Sequence, residues 1–515
     1  MVTNFNNMVY NFVSAVKEEQ NFGHTTNGAV GKKSTGSKLY DLFATGAAYR
    51  QRSESDCVLL FKEAYTENPE YAMKCLWYIR DILEGQGERR FFRVCLKWLA
   101  SYDTQAVLRN LETITRDSFG RWDDLFVLFD TPVEKNVYNL ILKQFVTDMN
   151  AYQKGAAVSL LAKWAPSPNA SSAKTKHNAR RIMHYLGVSE REYRKMLSAL
   201  RERIRVVERL MSQNRWDEID FSHLPSRAGL IYRNAFKRRD LIARKYREFA
   251  QSDASINAGT LYPYDIARKA CDLMGSDGYT REYVALDDTE RLMINKYWDN
   301  LTDYLNDGMP GMMVVADTSG SMTCAYGGNV RPIDVATSLA IYAAERAHGP
   351  FANHYISFSR NAKLIEVKGI DFCDKIDCIV RANLCENTNL ESVFNLVVDT
   401  AMRYNLRPED VPTSLVVISD MQVDVASNSR TGTTFMDSMR QKWYQKCGGK
   451  YEFPKLILWN INAAGSDTNF LDDPKKGVTY VSGCSPVIFT QILKGITGED
   501  LMWETLNSER LKPIH

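Results

Sequence analysis

The stretch Met312-Met-Val-Val-Ala-Asp317-Thr-Ser319-Gly-Ser321 constrains this chain more than any other. Its continuous apolar run reads as a strand buried on both faces, because strands of a helix-covered parallel sheet show no polar alternation. In open α/β sheets the ligand crevice lies outside the carboxyl ends of such strands. Here that end carries one carboxylate and two hydroxyls on a tight, glycine-containing loop. The donor set suits Mg²⁺, which takes octahedral oxygen ligands and often only one or two carboxylates.

The hydrophobic period changes at Gly311. Beyond it, apolar runs at 312–316, 353–358, 414–419, 455–461 and 478–481 alternate with helical stretches near 334–348, 389–405, 433–446 and 486–495. That alternation predicts a doubly wound, Rossmann-like α/β domain. From about Lys38 to Leu305 the period is helical, as in Ala72-Met73-Lys-Cys-Leu76-Trp77-Tyr-Ile79 and Phe91-Phe92-Arg-Val94-Cys-Leu96, with turns at Glu84-Gly-Gln-Gly87 and Pro166-Ser-Pro168. So many helices exceed one bundle and point to a HEAT-like α-helical solenoid or ring. A 515-residue chain is too long for one core. The expected organisation is a polar arm over 1–37, the helical domain over 38–305, the α/β domain over 310–485, and C-terminal helices over 486–515 that pack back on the helical part.

Several functions are disfavoured at this level. No apolar run is long enough to span a membrane, and the N-terminus lacks the basic and apolar regions of a secretion signal. Ten cysteines without a Cys-x-x-Cys pair read as reduced thiols of an intracellular protein rather than a zinc site. Gly28-Ala-Val-Gly31-Lys32-Lys33-Ser34 has the wrong spacing for a phosphate loop. The net charge of +3 hides an asymmetry: residues 174–247 hold 20 Lys and Arg against 8 Asp and Glu, so the rest of the chain is net negative. Such a block points to an anionic polymer as partner.

Two further fragments join the opening cluster. Glu386-Asn-Thr388 places a threonine just before a helix, and Val416-Val-Ile-Ser-Asp420 ends a second apolar strand in an aspartate. Asp317, Ser319, Ser321, Thr388 and Asp420 in this order are similar to the metal-ion-dependent adhesion site of von Willebrand factor A domains, over roughly 310–485. The resemblance implies Mg²⁺ (or Mn²⁺) held directly by Ser319 and Ser321, by Thr388 directly or through water, and by Asp317 and Asp420 largely through water. An open position would then accept an acidic group from a protein ligand. Enzymatic chemistry is not expected. A haloacid-dehalogenase phosphatase would need an aspartate where Ser319 stands, and no Gly-x-Ser-x-Gly elbow supports a serine nucleophile.

A helical ring followed by such a domain resembles the Ro autoantigen family (TROVE domain), whose members bind small noncoding RNAs. The chain more closely resembles an uncharacterised family of Ro-like proteins found in viruses, plants and microbes. The fragments that carry this are Thr26-Asn-Gly-Ala29, Gly120-Arg121-Trp122-Asp123-Asp124-Leu125, Ala162-Lys163-Trp164-Ala165-Pro166 and His223-Leu224-Pro225-Ser226. The resemblance implies a ribonucleoprotein that binds small structured or single-stranded RNA and is cytoplasmic, or virion-associated if viral. It also places Lys163, Ser167 and Asn169 on the ring lining.

Arg180, Arg181, Arg194, Lys195, Arg201, Arg205, Arg209, Lys237, Arg238 and Arg239 form the candidate RNA-binding face. The spacing of Arg201, Arg205 and Arg209 predicts one shared helix face. Tyr185, Tyr193, Trp216 and Tyr232 are interleaved with them as candidates for base stacking. Trp122 and Trp164 read as packing residues. The alternatives are an ordinary solvated helix face, or a protein-interaction or virion-assembly component whose metal site binds an acidic group on a partner and whose basic face contacts acidic protein or packaged genome.

Overall fold

The structure is a computed structural model that describes residues 12–116, 119–278, 284, 286–305, 308–309, 311–323, 330–358, 360–383, 389–424, 434–463, 478–496 and 498–515. The chain divides into two compact units, and each is built from more than one segment. The α/β unit takes the described residues up to Arg52, part of 263–284 and most of 303–505, while the helical unit takes 53–262, 285–302 and 506–515.

Among the described residues, the α/β unit has a two-stranded ribbon, β1 (Phe22–His24) and β2 (Val30–Lys32), and a six-stranded sheet. The sheet strands are β3 (Met312–Asp317), β4 (His354–Phe358), β5 (Lys363–Glu366), β6 (Ser414–Ser419), β7 (Lys455–Asn460) and β8 (Val478–Ser482). Their order is β5-β4-β3-β6-β7-β8, all parallel except the edge strand β5. All five strands expected from apolar runs are present, nearly at the expected bounds. The strand the sequence reading omitted is β5, whose Lys-Leu-Ile-Glu is largely exposed and carries no buried run. It is the antiparallel edge common in otherwise parallel sheets.

Two helices pack against strands at the centre of the sheet. Pro332–Arg346 starts with proline in its first turn, where the missing N–H costs nothing, and buries nearly its whole length. Leu390–Arg403 is capped by Asn389, whose side chain accepts the Ser392 N–H at 3.2 Å. Pro263–Leu273, expected to belong to the helical domain, packs instead on Pro332–Arg346. Its apolar stripe of Ile266, Ala267, Ala270 and Cys271 is covered there.

The segment read as a polar arm is structured from Phe12 onward. A helix, Phe12–Asn21, leads into the β1–β2 ribbon, and Lys38–Thr45, expected to open the helical domain, lies instead against β8 in the α/β unit. Lys38–Thr45 buries Leu39, Leu42 and Phe43, and the polar residues before it are tied to this helix by side-chain hydrogen bonds. The buried Asp41 carboxylate accepts the Thr35 N–H at 2.8 Å, the Thr35 hydroxyl at 2.7 Å and the Ser34 hydroxyl at 2.5 Å. Tyr40 then reaches β8, where its ring meets Tyr480 edge-on at 6.4 Å.

The helical unit begins with Glu54–Glu67, Pro69–Arg80 and Arg89–Tyr102, which pack on one another. Glu54–Glu67 buries Cys57, Leu60, Phe61 and Ala64, the i, i+3, i+4, i+7 stripe of a core-facing helix. The turn at Glu84–Gly87 uses Gly87 at φ +62°, where a β-carbon would lie 2.1 Å from the Tyr262 hydroxyl. The C-terminal segment expected to pack on the helical part divides: Ile488–Ile492 and nearly all of Glu499–Leu506 belong to the α/β unit, and only 506–515 joins the helical unit, where Arg510 pairs with the buried Asp81 at 2.7 Å. No described helix of either unit is long and apolar enough to cross a membrane.

Candidate metal centre and basic surface

The strand order reverses between β3 and β6, the topological switch point at which open α/β sheets form a crevice. Register pairs Ala316 with Ile418, so Asp317 ends β3 beside the point where Asp420 follows β6. Both carboxylates are buried, at 0% and 4% exposure. The loop from Asp317 folds back on itself: the Ser319 N–H donates to Asp317 Oδ1 at 2.8 Å, and the Ser319 and Ser321 hydroxyls lie 3.2 Å apart. Four of the five expected residues, Asp317, Ser319, Ser321 and Asp420, are therefore brought together. Thr388 lies outside the described residues.

The electrostatics are those of uncompensated negative charge. Burial, and then the facing Asp420, pushes the Asp317 carboxyl up to about 7. Burial likewise raises Asp420, against hydrogen bonds from the Gln422 N–H and the Ser321 hydroxyl. The groups that oppose these shifts are hydroxyls and amides, and no basic side chain is among them. Two buried carboxylates with converging hydroxyls fit a hard divalent cation, which would supply the missing positive charge. Among the described residues there is no group of three or more His, Cys, Asp or Glu that could hold a metal ion, and the candidate centre offers two carboxylates with hydroxyls.

Two parts of this centre were not anticipated. Ser419, the last residue of β6, donates to Asp317 Oδ2 at 2.5 Å and accepts the Met421 N–H at 2.9 Å. Met421 itself is buried with φ +60°, a left-handed conformation that costs of order 1–3 kcal/mol for a residue with a β-carbon. The second part is the β1–β2 turn. Thr25 Oγ1 donates to the Val423 carbonyl at 2.6 Å, the Thr26 N–H to Gln422 Oε1 at 2.9 Å, and Asn27 Nδ2 to the Gln422 carbonyl at 2.7 Å. Gly28 adds a β-bridge to Asp424. The N-terminal ribbon thus clamps the loop that carries Asp420.

The basic candidates of the helical unit fall into two groups. Arg180, Lys195, Arg205 and Arg238 are exposed and form no ion pair among the described residues, and Arg194 is exposed at 4.0 Å from Glu190. The others are engaged. Arg181 pairs with Asp130 at 2.8 Å and Glu134 at 2.5 Å, Arg209 with Glu202 at 2.9 Å, and Lys237 with Glu290 at 3.1 Å. Arg201 is a strut that donates to the carbonyls of Ala162 and Ala165 and to Ser167 Oγ. Arg239 lies over the Trp216 ring at 4.2 Å and donates to Asn214.

The shared face predicted for Arg201, Arg205 and Arg209 does not form. The helix Glu190–Arg203 ends first, Arg205 turns left-handed at φ +48°, and Arg209 sits on the separate helix Val207–Ser212. Of the aromatic candidates, Tyr193 is fully buried with its hydroxyl on the Pro166 carbonyl. Tyr185 stacks on Tyr138, and the Tyr232 hydroxyl donates to Glu208.

Three of the sequence fragments singled out above meet in the helical unit. Arg80, buried at 2% exposure, holds Asp124 at 2.7 Å, and Arg93 reaches Asp124 at 2.5 Å and Asp123 at 2.6 Å. Burial alone would raise the Asp124 carboxyl, but Arg80 and Arg93 outweigh it and hold the group below its usual range. That pairing fixes the Gly120–Leu125 segment. Residues from this segment, from Ala162–Pro166 and from His223–Ser226 line one cavity of ≈ 770 Å³. Trp122 is buried there as expected, whereas Trp164 is half-exposed to the cavity rather than packed away.

A family model described as a domain of unknown function (DUF2828) matches residues 25–149 and 134–308, more than half of the chain, and a second domain of unknown function (DUF7788) matches residues 311–510. An uncharacterized protein of Acanthamoeba polyphaga mimivirus is 28% identical over 523 residues, which is 96% of this chain and 86% of that protein. The crystal structure of the Deinococcus radiodurans RO (RSR) protein is 15% identical and covers 89% of this chain and 93% of that one, with a TM-score of 0.40.

Proposed function

The chain belongs to the family of the domain of unknown function DUF2828, and from that premise we propose a non-enzymatic RNA-binding protein of Ro-like type. Its α/β unit would act as a von Willebrand A domain with a Mg²⁺-dependent (or Mn²⁺-dependent) ligand site. The observation that carries the RNA reading is the surplus of unpaired, exposed cations, Arg180, Lys195, Arg205 and Arg238, within the block 174–247. Phosphates captured by such a surface release counterions, so affinity would fall steeply with salt. At the carboxylate pair, Ser319 and Ser321 would hold the ion directly and Asp317 and Asp420 would balance its charge. The ion would offer an open position to an acidic group on a partner.

Purification of the full chain at low salt tests the reading, with sequencing of whatever nucleic acid copurifies. A defined set of small RNAs that is released by high salt is the expected result. A preparation free of RNA that also fails to shift structured RNA on a gel would overturn it. The alternative, a protein-interaction or assembly component working through the metal site, would then stand.

A further inference from the structure

The cavity in the helical unit has a charge imbalance opposite to that of the carboxylate pair. Arg121 lies over the Trp164 ring at 4.7 Å, and the Lys163 ammonium lies 5.5 Å from the same ring. Both cations are half-buried, and neither forms an ion pair among the described residues. Asp123 and Asp124, the acids nearest Arg121 in sequence, already pair with Arg80 and Arg93. Burial, reinforced by Arg89 and Arg80 and opposed by Asp123 and Asp124, pulls the Arg121 guanidinium down to about 10, and burial lowers Lys163 against the nearby charge of Glu208. A half-buried cation with no carboxylate in direct contact is costly, so an anion that reaches both groups would be favoured.

The remaining walls narrow the chemistry. Leu160, Val206 and Leu210 give an apolar side, while Asn257 and Thr260 offer hydrogen bonds. Glu208, Glu218 and Asp220 also line the cavity: Glu218 pairs with Arg215 at 2.5 Å, Asp220 bonds Ser222 and His223, and Glu208 accepts the Tyr232 hydroxyl at 2.9 Å while its charge still acts on Lys163. The volume, ≈ 770 Å³, lies within the roughly 300–1,000 Å³ of small-ligand sites. An indole or a guanidinium plane stacks on any base, and Arg and Lys together match a phosphate.

We propose that this cavity is a nucleotide site: a nucleoside phosphate, free or at the end of an RNA strand, places its phosphate on Arg121 and Lys163 and its base against Trp164. The free-nucleotide form is independent of the RNA reading above, and the strand-end form rests on it. Of the exposed cations assigned to the RNA surface, Arg205 also lines the cavity, whereas Arg180, Lys195 and Arg238 do not.

Equilibrium binding to the full chain provides the test, with AMP, adenosine, and octaadenylate with and without a 5′-phosphate as probes. At least one phosphorylated probe should bind tenfold or more tightly than its unphosphorylated counterpart. Lys163→Gln and Arg121→Gln should each abolish most of that preference, and Trp164→Phe should retain part of the affinity that Trp164→Ala loses. AMP binding identifies a free nucleotide; preference in the octamer alone identifies a strand end. Absence of any phosphate preference, or a preference untouched by Lys163→Gln, overturns the proposal. Lys163 forms no ion pair among the described residues, so its substitution keeps the test valid if the Arg121 variant fails to fold. Gel shifts of long structured RNA with the same preparation separate the two readings. RNA bound without phosphate preference in the small probes defeats the cavity alone, and AMP bound without RNA defeats the RNA reading alone.

Discussion

The carboxylate pair at the sheet switch point and the arginine–aspartate cluster of the helical unit bury comparable charge and resolve it in opposite ways. Asp124 is fully buried, yet Arg80 and Arg93 sit on it and hold its carboxyl in the ionised form. Asp317 is equally buried, but it faces Asp420 and has only hydroxyl and amide donors, so its carboxyl is pushed up to about 7. Internal pairing is a structural solution and needs nothing from solution. Unmatched charge is relieved by holding a proton or by a bound cation. On the proposed reading that difference separates scaffold from site, and it predicts substitutions of opposite sign.

The largest effect should follow from breaking the matched cluster. Asp124→Ala leaves Arg80 buried and uncompensated, which costs about 3–5 kcal/mol. Urea unfolding followed by helical circular dichroism would show it, and an unchanged midpoint would contradict the assignment. The pH dependence follows with a definite sign. Because the folded carboxyl of Asp124 lies below its usual value, its contribution is complete above about pH 4 and fades as pH falls through the lowered folded value. Asp124→Asn should flatten that acid limb.

The next effect belongs to the unmatched pair. At pH 8 without divalent ions, Asp317→Asn should leave stability unchanged or raise it, since it removes one of two repelling charges. Mg²⁺ at 100 times its dissociation constant should stabilise the native chain by about 2.7 kcal/mol and leave the variant unaffected. Thermal unfolding with and without Mg²⁺ measures both. An equal Mg²⁺ response in the two proteins would remove Asp317 from the site.

Legibility in the sequence followed the distance over which each interaction acts. Asp317, Ser319, Ser321 and Asp420 were readable because an apolar run ending in hard oxygen donors is a local pattern, and so were the five long strands. The clamp was not readable, since Thr25 and the Val423 carbonyl it binds are 398 residues apart in sequence. Polar residues 22–32 look like any flexible arm until Gln422 is placed beside them. Asn27→Ala, which removes one of these bonds, should cost about 1 kcal/mol. The shared face of Arg201, Arg205 and Arg209 failed for a related reason. No glycine or proline marks the end of the helix at Arg203, so the left-handed Arg205 carries no local warning. Charge counts in the 174–247 block also could not tell an Arg201 strut from a free Lys195, because pairing is decided by tertiary neighbours.

That distinction gives the smallest change in stability and the sharpest test of the surface. Replacing Arg180, Lys195 and Arg238 together by glutamine removes three exposed cations with no ion pair, so stability should stay within about 0.5 kcal/mol of the native chain. If each contacts a phosphate of single-stranded RNA, the slope of log affinity against log salt should become shallower by roughly 2. Arg181→Gln makes the converse comparison. It breaks the bonds to Asp130 and Glu134 and should lower the unfolding midpoint while leaving the salt slope where it was. Should the slope respond to Arg181 and ignore the triple variant, the division between paired and unpaired cations would be wrong, and the phosphate-contacting surface would have to include residues now assigned to the scaffold.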